Sequence, residues 1–317
     1  MKFERHLTDF ESYLSAIRLS ERTIETYSTY AKRFCHFIET YYPRIRSFER
    51  ITKGIVLDYQ NYLSTHKSPK GERLCNKTQG LILRALKKFF SYLMKRDLIL
   101  KDPTTVIVMP KEEQTLPRNI LSENEVFSLL ESIRMNDPVG IRNRAIVELF
   151  YACGIRTSEL CHLKIHDVDL KEQTVTIVKG KGGKSRQAPI GQYGAYYIQL
   201  YLDKARRHLL KGQVTDPGHL FLSERGNPFN KSTINRTVIK SVSRNIPIDK
   251  HISCYTFRHS VASQLLQHKV DIAHIAKLLG HASLRTTQQY LHIDITDLKK
   301  VHSLCHPRET TSNKPEA

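Results

Sequence analysis

Residues 254–292, CYTFRHSVASQLLQHKVDIAHIAKLLGHASLRTTQQYLH, hold three features that speak of chemistry rather than packing. These are an arginine followed by a histidine (Arg258, His259), a Leu-Gly-His turn (Leu279, Gly280, His281) and an isolated tyrosine, Tyr290. They make most sense beside two basic residues far upstream, Arg156 in CGIRTSELCHL and Lys181 in the glycine-rich GKGGK. Two arginines, a lysine, a histidine and a tyrosine are the parts needed to bind a phosphodiester, neutralise it and attack it. A guanidinium is always charged and bonds oxyanions bidentately. A lysine among glycines can reach a backbone phosphate. A phenol becomes a nucleophile once its proton, with a pKa of ~10, is removed or its charge is supported.

Taken singly, each residue has an ordinary reading. Arg156 alone reads as a structural ion pair near the start of a short helix. Lys181 alone reads as part of a basic turn, His281 as a helix-terminus residue and Tyr290 as a packing aromatic. Only the combination carries the chemistry.

The chain has 317 residues, enough for two domains with sizeable cores. With 40% hydrophobic and 26% charged residues, its composition is that of a globular protein and excludes wholesale disorder. Fifty Lys+Arg stand against 31 Asp+Glu, a formal charge of +19, which points to a polyanion and by default to nucleic acid. The six cysteines, Cys35, Cys75, Cys153, Cys161, Cys254 and Cys305, form no C-x-x-C pair. Neither a zinc site nor a disulfide framework is expected, and a reducing cytoplasm is the natural compartment. The start, MKFERHLTDFESYL, is charged and amphipathic rather than a leader. No apolar run approaches the ~18 residues of a membrane span.

Residues 1–108 read as a helical domain, with apolar residues at helical spacing in Phe10, Tyr13, Leu14 and Ile17 and in Tyr27, Tyr30, Phe34, Phe37 and Ile38. Ser20 is the N-cap expected of the second helix, and further helices are expected over 52–65 and 76–96. This region carries 20 Lys+Arg against 11 Asp+Glu, nearly half of the whole surplus, as a helical clamp on DNA would. A bundle with solvated lysine faces is the plainer alternative. The proline-punctuated stretch ending KEEQTLPRNI makes 109–120 a linker. A second domain follows over 121–303, opening on a capping box of Ser122 and Glu125. An apolar helix there ends at Gly154. The segment TVTIVKGKGGKSRQAPI alternates as two strands of a β-hairpin, and helices resume over 194–210, over 231–243 and from 255 onward. Residues 304–317 form a polar tail. The fold class is thus mostly α with a small β-hairpin or sheet (α+β).

The order GIRTSEL, GKGGKSRQAPI, YTFRHSVASQLL and LLGHASLRTTQQY resembles that of the tyrosine recombinase, or phage integrase, family. Twenty-three positions separate Arg258 from His281 and nine separate His281 from Tyr290, as the family motif has them. The resemblance extends over nearly the whole chain and is strongest in layout to short Xer-like members. It implies an N-terminal core-binding domain and a C-terminal catalytic domain. By the same resemblance, Tyr290 attacks the scissile phosphate to leave a 3′-phosphotyrosyl link and a free 5′-hydroxyl. Arg156 and Arg258 clamp the non-bridging oxygens, Lys181 protonates the leaving oxygen, His281 donates to the phosphate and Glu159 orients its neighbours. Because the covalent link conserves bond energy, neither ATP, another cofactor nor a catalytic metal is implied. The implied partner is duplex DNA carrying a specific site, bound by a tetramer on two duplexes, with accessory proteins or a partner recombinase as further candidates.

One position departs from the family pattern. A histidine is usual three residues before the second arginine, and here that residue is Tyr255, with His259 after the arginine. Tyrosine hydrogen-bonds but is a poor proton acceptor near neutral pH, so Tyr255 is expected to serve as a hydrogen-bonding partner. A binding-only relative and a type IB topoisomerase are the alternatives to a recombinase. The segment HIDITDLKKVHSLCH, 292–306, can form an amphipathic helix that docks on a neighbouring subunit or on its own domain. That tail and Tyr255 favour a mobile-element integrase over a chromosome-dimer resolvase.

Overall fold

The computed structural model describes residues 3–66, 71–111, 119–178, 185–210, 215–244 and 246–281. The chain divides into two units, Met1–Gln114 and Thr115–Ala317. The tail expected to be helical over 292–306 lies outside the described residues.

In the first unit, α1 (Glu4–Ala16), α2 (Glu21–Tyr41), α3 (Lys53–Thr65) and α4 (Asn76–Lys95) surround one core. Ser20 caps α2, its hydroxyl accepting from the Thr23 amide at 3.2 Å and satisfying one of the donors a helix start leaves unpaired. The apolar positions three and four apart in α2 and α4 turn inward together: Phe34, Phe37 and Ile38 meet Leu86, Phe89, Phe90 and Leu93, all buried. Phe10 packs edge-on to Phe89 at 4.9 Å between ring centroids, and Phe34 to Phe90 at 5.5 Å. Such pairs add about 0.5–1.5 kcal/mol each beyond the area they bury. On the outer faces, Lys32, Lys77 and Arg84 are exposed.

The second unit opens with α5 (Glu123–Glu131), whose capping box is reciprocal: the Glu125 amide donates to Ser122 Oγ at 3.2 Å and the Ser122 amide to Glu125 Oε2 at 2.7 Å. Helix α6 (Pro138–Cys153) is buried on nearly every side through Ala145, Ile146, Val147, Leu149 and Phe150, which makes it the central helix of this unit. After α6 come α7 (Thr157–His162), then β1 (Val168–Asp169), β2 (Thr174–Ile177) and β3 (Arg186–Pro189) in one antiparallel sheet of order β1-β2-β3. β2 and β3 are the two strands expected from the alternating segment, whereas β1, with two residues, is too short to show alternation. Val175 pairs with Ala188 and Ile177 with Arg186, so one face of the hairpin points into the core. Next, α8 (Gly191–Tyr201) continues through a π-helical turn at Leu202–Arg206 into α9 (Arg207–Leu210). Likewise α10 (Lys231–Ile234) passes through Asn235–Ile239 into α11 (Lys240–Ser243). Both α8 and α12 (Cys254–Gln267) pack on α6. The helices expected from 255 onward are α12 and α13 (Ile272–Leu279), separated where Lys269 turns left-handed at φ +59° and Asp271 caps a new start.

Gly154 ends α6 in the left-handed conformation, at φ +56°, and a Cβ there would lie 2.5 Å from Leu279 Cδ2. The left-handed backbone costs a residue with a Cβ about 1–2 kcal/mol, and the overlap with Leu279 adds to it. Gly154→Ala should therefore lower the unfolding free energy by about 2–4 kcal/mol in a urea titration. An unchanged midpoint would show that the helix end tolerates a side chain.

Candidate active site

Four elements of the second unit, α13 among them, meet at the C-terminal end of α13. Arg156 is the N-cap residue of α7, placed by the left-handed exit from α6 at Gly154. Arg258 sits one turn into α12 and is buried, with 4% of its surface exposed. His281 follows Gly280, which closes α13 at φ +63°. The fourth element is β3, through Arg186.

A helix ends with carbonyls that have no partner inside it, and with the negative end of its dipole. In α13 three consecutive carbonyls are each met by a different guanidinium. Arg186 Nε donates to the Leu278 carbonyl at 3.1 Å, Arg258 Nη2 to that of Leu279 at 2.7 Å and Arg156 Nη2 to that of Gly280 at 2.7 Å. Arg258 Nη1 also donates to the Gly154 carbonyl at 2.5 Å, which ties the end of α6 to the end of α13.

Glu159, on α7, anchors this arrangement from below. Its Oε1 accepts from Arg156 Nη1 at 2.7 Å and Arg186 Nη1 at 2.8 Å, and its Oε2 from the Arg156 amide at 3.0 Å and Arg186 Nη2 at 2.8 Å. Four donors fill the acceptor capacity of a carboxylate. Burial by itself would raise the Glu159 pKa. The hydrogen bonds from Arg186 and the Arg156 amide, together with the Arg186 charge, outweigh it and hold the group at about 2.

His281 answers the same charges in the opposite sense. Burial first, then the positive charges of Arg258, Arg156 and Arg186 with a contribution from His259, push its imidazole down to about 4. At neutral pH it is an uncharged ring with one N–H to donate. His259 is also pushed down, by burial and by Arg258. Tyr255 stands in the first turn of α12, 56% exposed, with its ring 6.5 Å from that of His259 four residues on.

Of the residues singled out in the sequence, Arg156, Arg258 and His281 are thus brought together at one helix end, and Tyr255 lies at the exposed start of the helix that carries Arg258. Lys181, in the connection between β2 and β3, and Tyr290, nine residues after His281, lie outside the described residues. Among the described residues no group of three or more His, Cys, Asp or Glu is placed to hold a metal ion, and no helix is long and apolar enough to cross a membrane.

Arg186 joins this cluster without being marked by any of the sequence motifs. It sits inside the GKGGKSRQAPI segment and carried a signal: two positions before the buried Ala188 and opposite the buried Ile177, it is a charge on the core-facing side of a strand.

The depressed imidazole makes stability depend on pH. An ordinary histidine takes up a proton near 6.5, and folded His281 does so only near 4. As pH falls, the unfolded chain is protonated first, so the stability is fully present above 6.5 and is lost as pH falls towards 4. Glu159 acts in a lower window, below the ordinary carboxylate range. His281→Gln should flatten the decline in urea midpoint between pH 6.5 and 4, and an unaltered slope would show that the folded ring protonates as readily as a free one.

Residues 119–296 match the phage integrase family, and residues 7–100 match the phage integrase N-terminal SAM-like domain. Among curated proteins, the tyrosine recombinase XerD of Halalkalibacterium halodurans is 33% identical over 290 residues, covering 92% of this chain and 93% of that protein. The tyrosine recombinase XerC of Pelobacter propionicus is 33% identical, covering 94% and 93%. Among solved structures, that of the XerA recombinase is 31% identical with a TM-score of 0.51, covering 96% of this chain and 99% of that one. The XerH site-specific recombinase bound to a palindromic difH substrate, in a post-cleavage complex, is 25% identical with a TM-score of 0.67, covering 89% and 79%. By motif order, by its two matched domains and by these relatives, the chain belongs to the phage integrase family, the tyrosine site-specific recombinases.

Proposed function

We propose that this recombinase cuts and rejoins duplex DNA through Tyr290, with Arg156, Arg258 and His281 binding the phosphate that is attacked. The observation that carries the reading is the set of guanidiniums held on consecutive carbonyls of α13 beside a neutral His281. Two arginines whose geometry is already fixed by backbone acceptors stabilise charge that builds on the non-bridging oxygens without having to reorganise. His281, uncharged at neutral pH, adds a hydrogen bond rather than a further charge.

In the reaction, the Tyr290 phenol releases its proton to solvent and its oxygen forms a bond to phosphorus as the bond from phosphorus to the 5′-oxygen breaks. Lys181 supplies the proton for that leaving oxygen. The 3′-phosphotyrosyl link keeps the energy of the broken bond, so a second 5′-hydroxyl can reverse the chemistry and rejoin the strand without ATP, a cofactor or a metal. Tyr255 donates a hydrogen bond towards the phosphate in place of the usual histidine, and its exposure at the start of α12 is compatible with reaching a bound backbone.

The surplus of positive charge supports duplex DNA as the partner, with affinity that falls steeply as salt rises. The division we propose is a helical DNA-binding domain, 1–108, a linker, 109–120, and a catalytic domain, 121–303, each domain contributing contacts to the DNA. We further propose assembly of four subunits on two duplexes in the cytoplasm, and a mobile element rather than chromosome-dimer resolution as the setting. Tyr255 is the one feature that favours a second reading, a protein that occupies its site without cutting.

A nicked duplex carrying the recombination site traps the covalent intermediate. Wild type should give a protein–DNA band on a denaturing gel, and Tyr290→Phe none. Sequence-specific shifts on a native gel with no covalent band from wild type would favour the binding-only reading. On the same substrate, Tyr255→His should change the cleavage rate less than tenfold. A rise of several orders of magnitude would mark the natural enzyme as impaired at that position.

A further inference from the structure

We infer that Arg186 is a positioning residue for the cleavage step, setting the geometry of Arg156 and of the His281 turn from the strand that leaves the Lys181 loop. The inference rests on the active-site reading above and deepens it.

All three arms of the Arg186 guanidinium are committed. Nε donates to the Leu278 carbonyl at 3.1 Å, and Nη1 and Nη2 form a two-pronged pair with Glu159, each at 2.8 Å. The side chain is 12% exposed. It therefore links two things the chemistry needs in fixed relation. One is the carboxylate that holds both the amide and the guanidinium of Arg156. The other is the helix end that carries His281.

The approach is close enough to dictate a neighbour. A Cβ built on Gly280 would meet the Arg186 Cδ and Nη1 at 2.8 Å and its Cζ at 2.9 Å. The guanidinium lies against the bare α-carbon of the turn, so Gly280 is required for this contact as well as for its left-handed backbone. The pairing of Arg186 with Ile177 also places it at the end of the strand pair, beside the connection that holds Lys181.

Charge gives a second reason. Without Arg186, the buried Glu159 carboxylate would keep only Arg156 as its cation among the described residues. A carboxylate compensated by Arg156 alone competes with a phosphate for that guanidinium. With Arg186 taking both of its oxygens, Glu159 is already neutralised, and Arg156 stays available to the substrate. Lysine cannot reproduce this, since an ammonium is a point charge without the planar fork.

Three variants test the inference, each measured for melting temperature, for site affinity on a native gel and for single-turnover covalent complex formation on the nicked duplex. Arg186→Lys should bind the site within threefold of wild type and form the covalent complex about 100-fold more slowly, the scale on which misplaced catalytic groups act. Arg186→Met leaves Glu159 underpaired and should melt lower. The double variant Glu159→Gln with Arg186→Met removes that unpaired charge, so its melting temperature should recover while cleavage stays at least tenfold below wild type. Cleavage by Arg186→Lys within threefold of wild type would overturn the inference. So would a parallel loss of binding and cleavage, or recovery of cleavage together with stability in the double variant, since each of these assigns Arg186 a structural role only. Tyr290→Phe, run alongside, keeps the two levels apart. A covalent band that survives in that variant overturns the active-site reading itself and the inference with it, whereas an indifferent Arg186 beside a Tyr290-dependent band overturns only the inference.

Discussion

The carbonyls at the end of α13 need donors, and the donors they receive are guanidiniums. A helix of eight residues has a poor ratio of internal bonds to unpaired ends, so its last turn must be satisfied from outside. Leu278, Leu279 and Gly280 obtain partners from β3, α12 and the start of α7, three elements that share no local sequence. The same bonds that complete the helix hold three cations close together. Arg156 and Arg258 are thereby held in fixed orientations, and an orientation fixed in advance is one that the proposed phosphate binding need not create.

Holding like charges together is unfavourable in itself, and the site shows how this is offset. Glu159 supplies one full negative charge beneath two of the arginines, and the end of the α13 dipole supplies a fractional one. The set remains net positive, which suits an anionic substrate. Burial first and then these positive charges keep the His281 imidazole uncharged, whereas at Glu159 the hydrogen bonds from Arg186 and the Arg156 amide, with the Arg186 charge, overcome burial and keep the carboxylate charged.

The rest of the second unit serves to bring these ends into register. Helix α6 is buried around most of its circumference, so its position is dictated by packing, and its exit at Gly154 places Arg156 immediately after it. At this site Gly154 and Gly280 matter for their lack of a side chain. The first makes room for Leu279 and the second for Arg186, so each lets a backbone and a site element approach more closely than any other residue would allow. The buried faces of β2 and β3 seat the hairpin on the core and bring Arg186 to Glu159.

Much of this was legible along the chain by itself. The caps at Ser20, Ser122 and Gly154, the helical spacing of Phe34, Phe37 and Ile38, and the paired strands around GKGGK are local signals, since each depends on residues within a turn or two of one another. The family motifs were legible for the same reason: Arg156, Arg258 and His281 stand out by residue type and by spacing. What only the tertiary structure decided was how those residues are held. The bond from Arg156 to the Gly280 carbonyl spans 124 positions, and that from Arg258 to the Gly154 carbonyl spans 104. A carbonyl is identical at every residue, so nothing in the sequence marks which ones will accept a guanidinium. Arg186 was missed on that account, because both of its roles, as the partner of Glu159 and as the cap of α13, exist only once the strand and two helices have met.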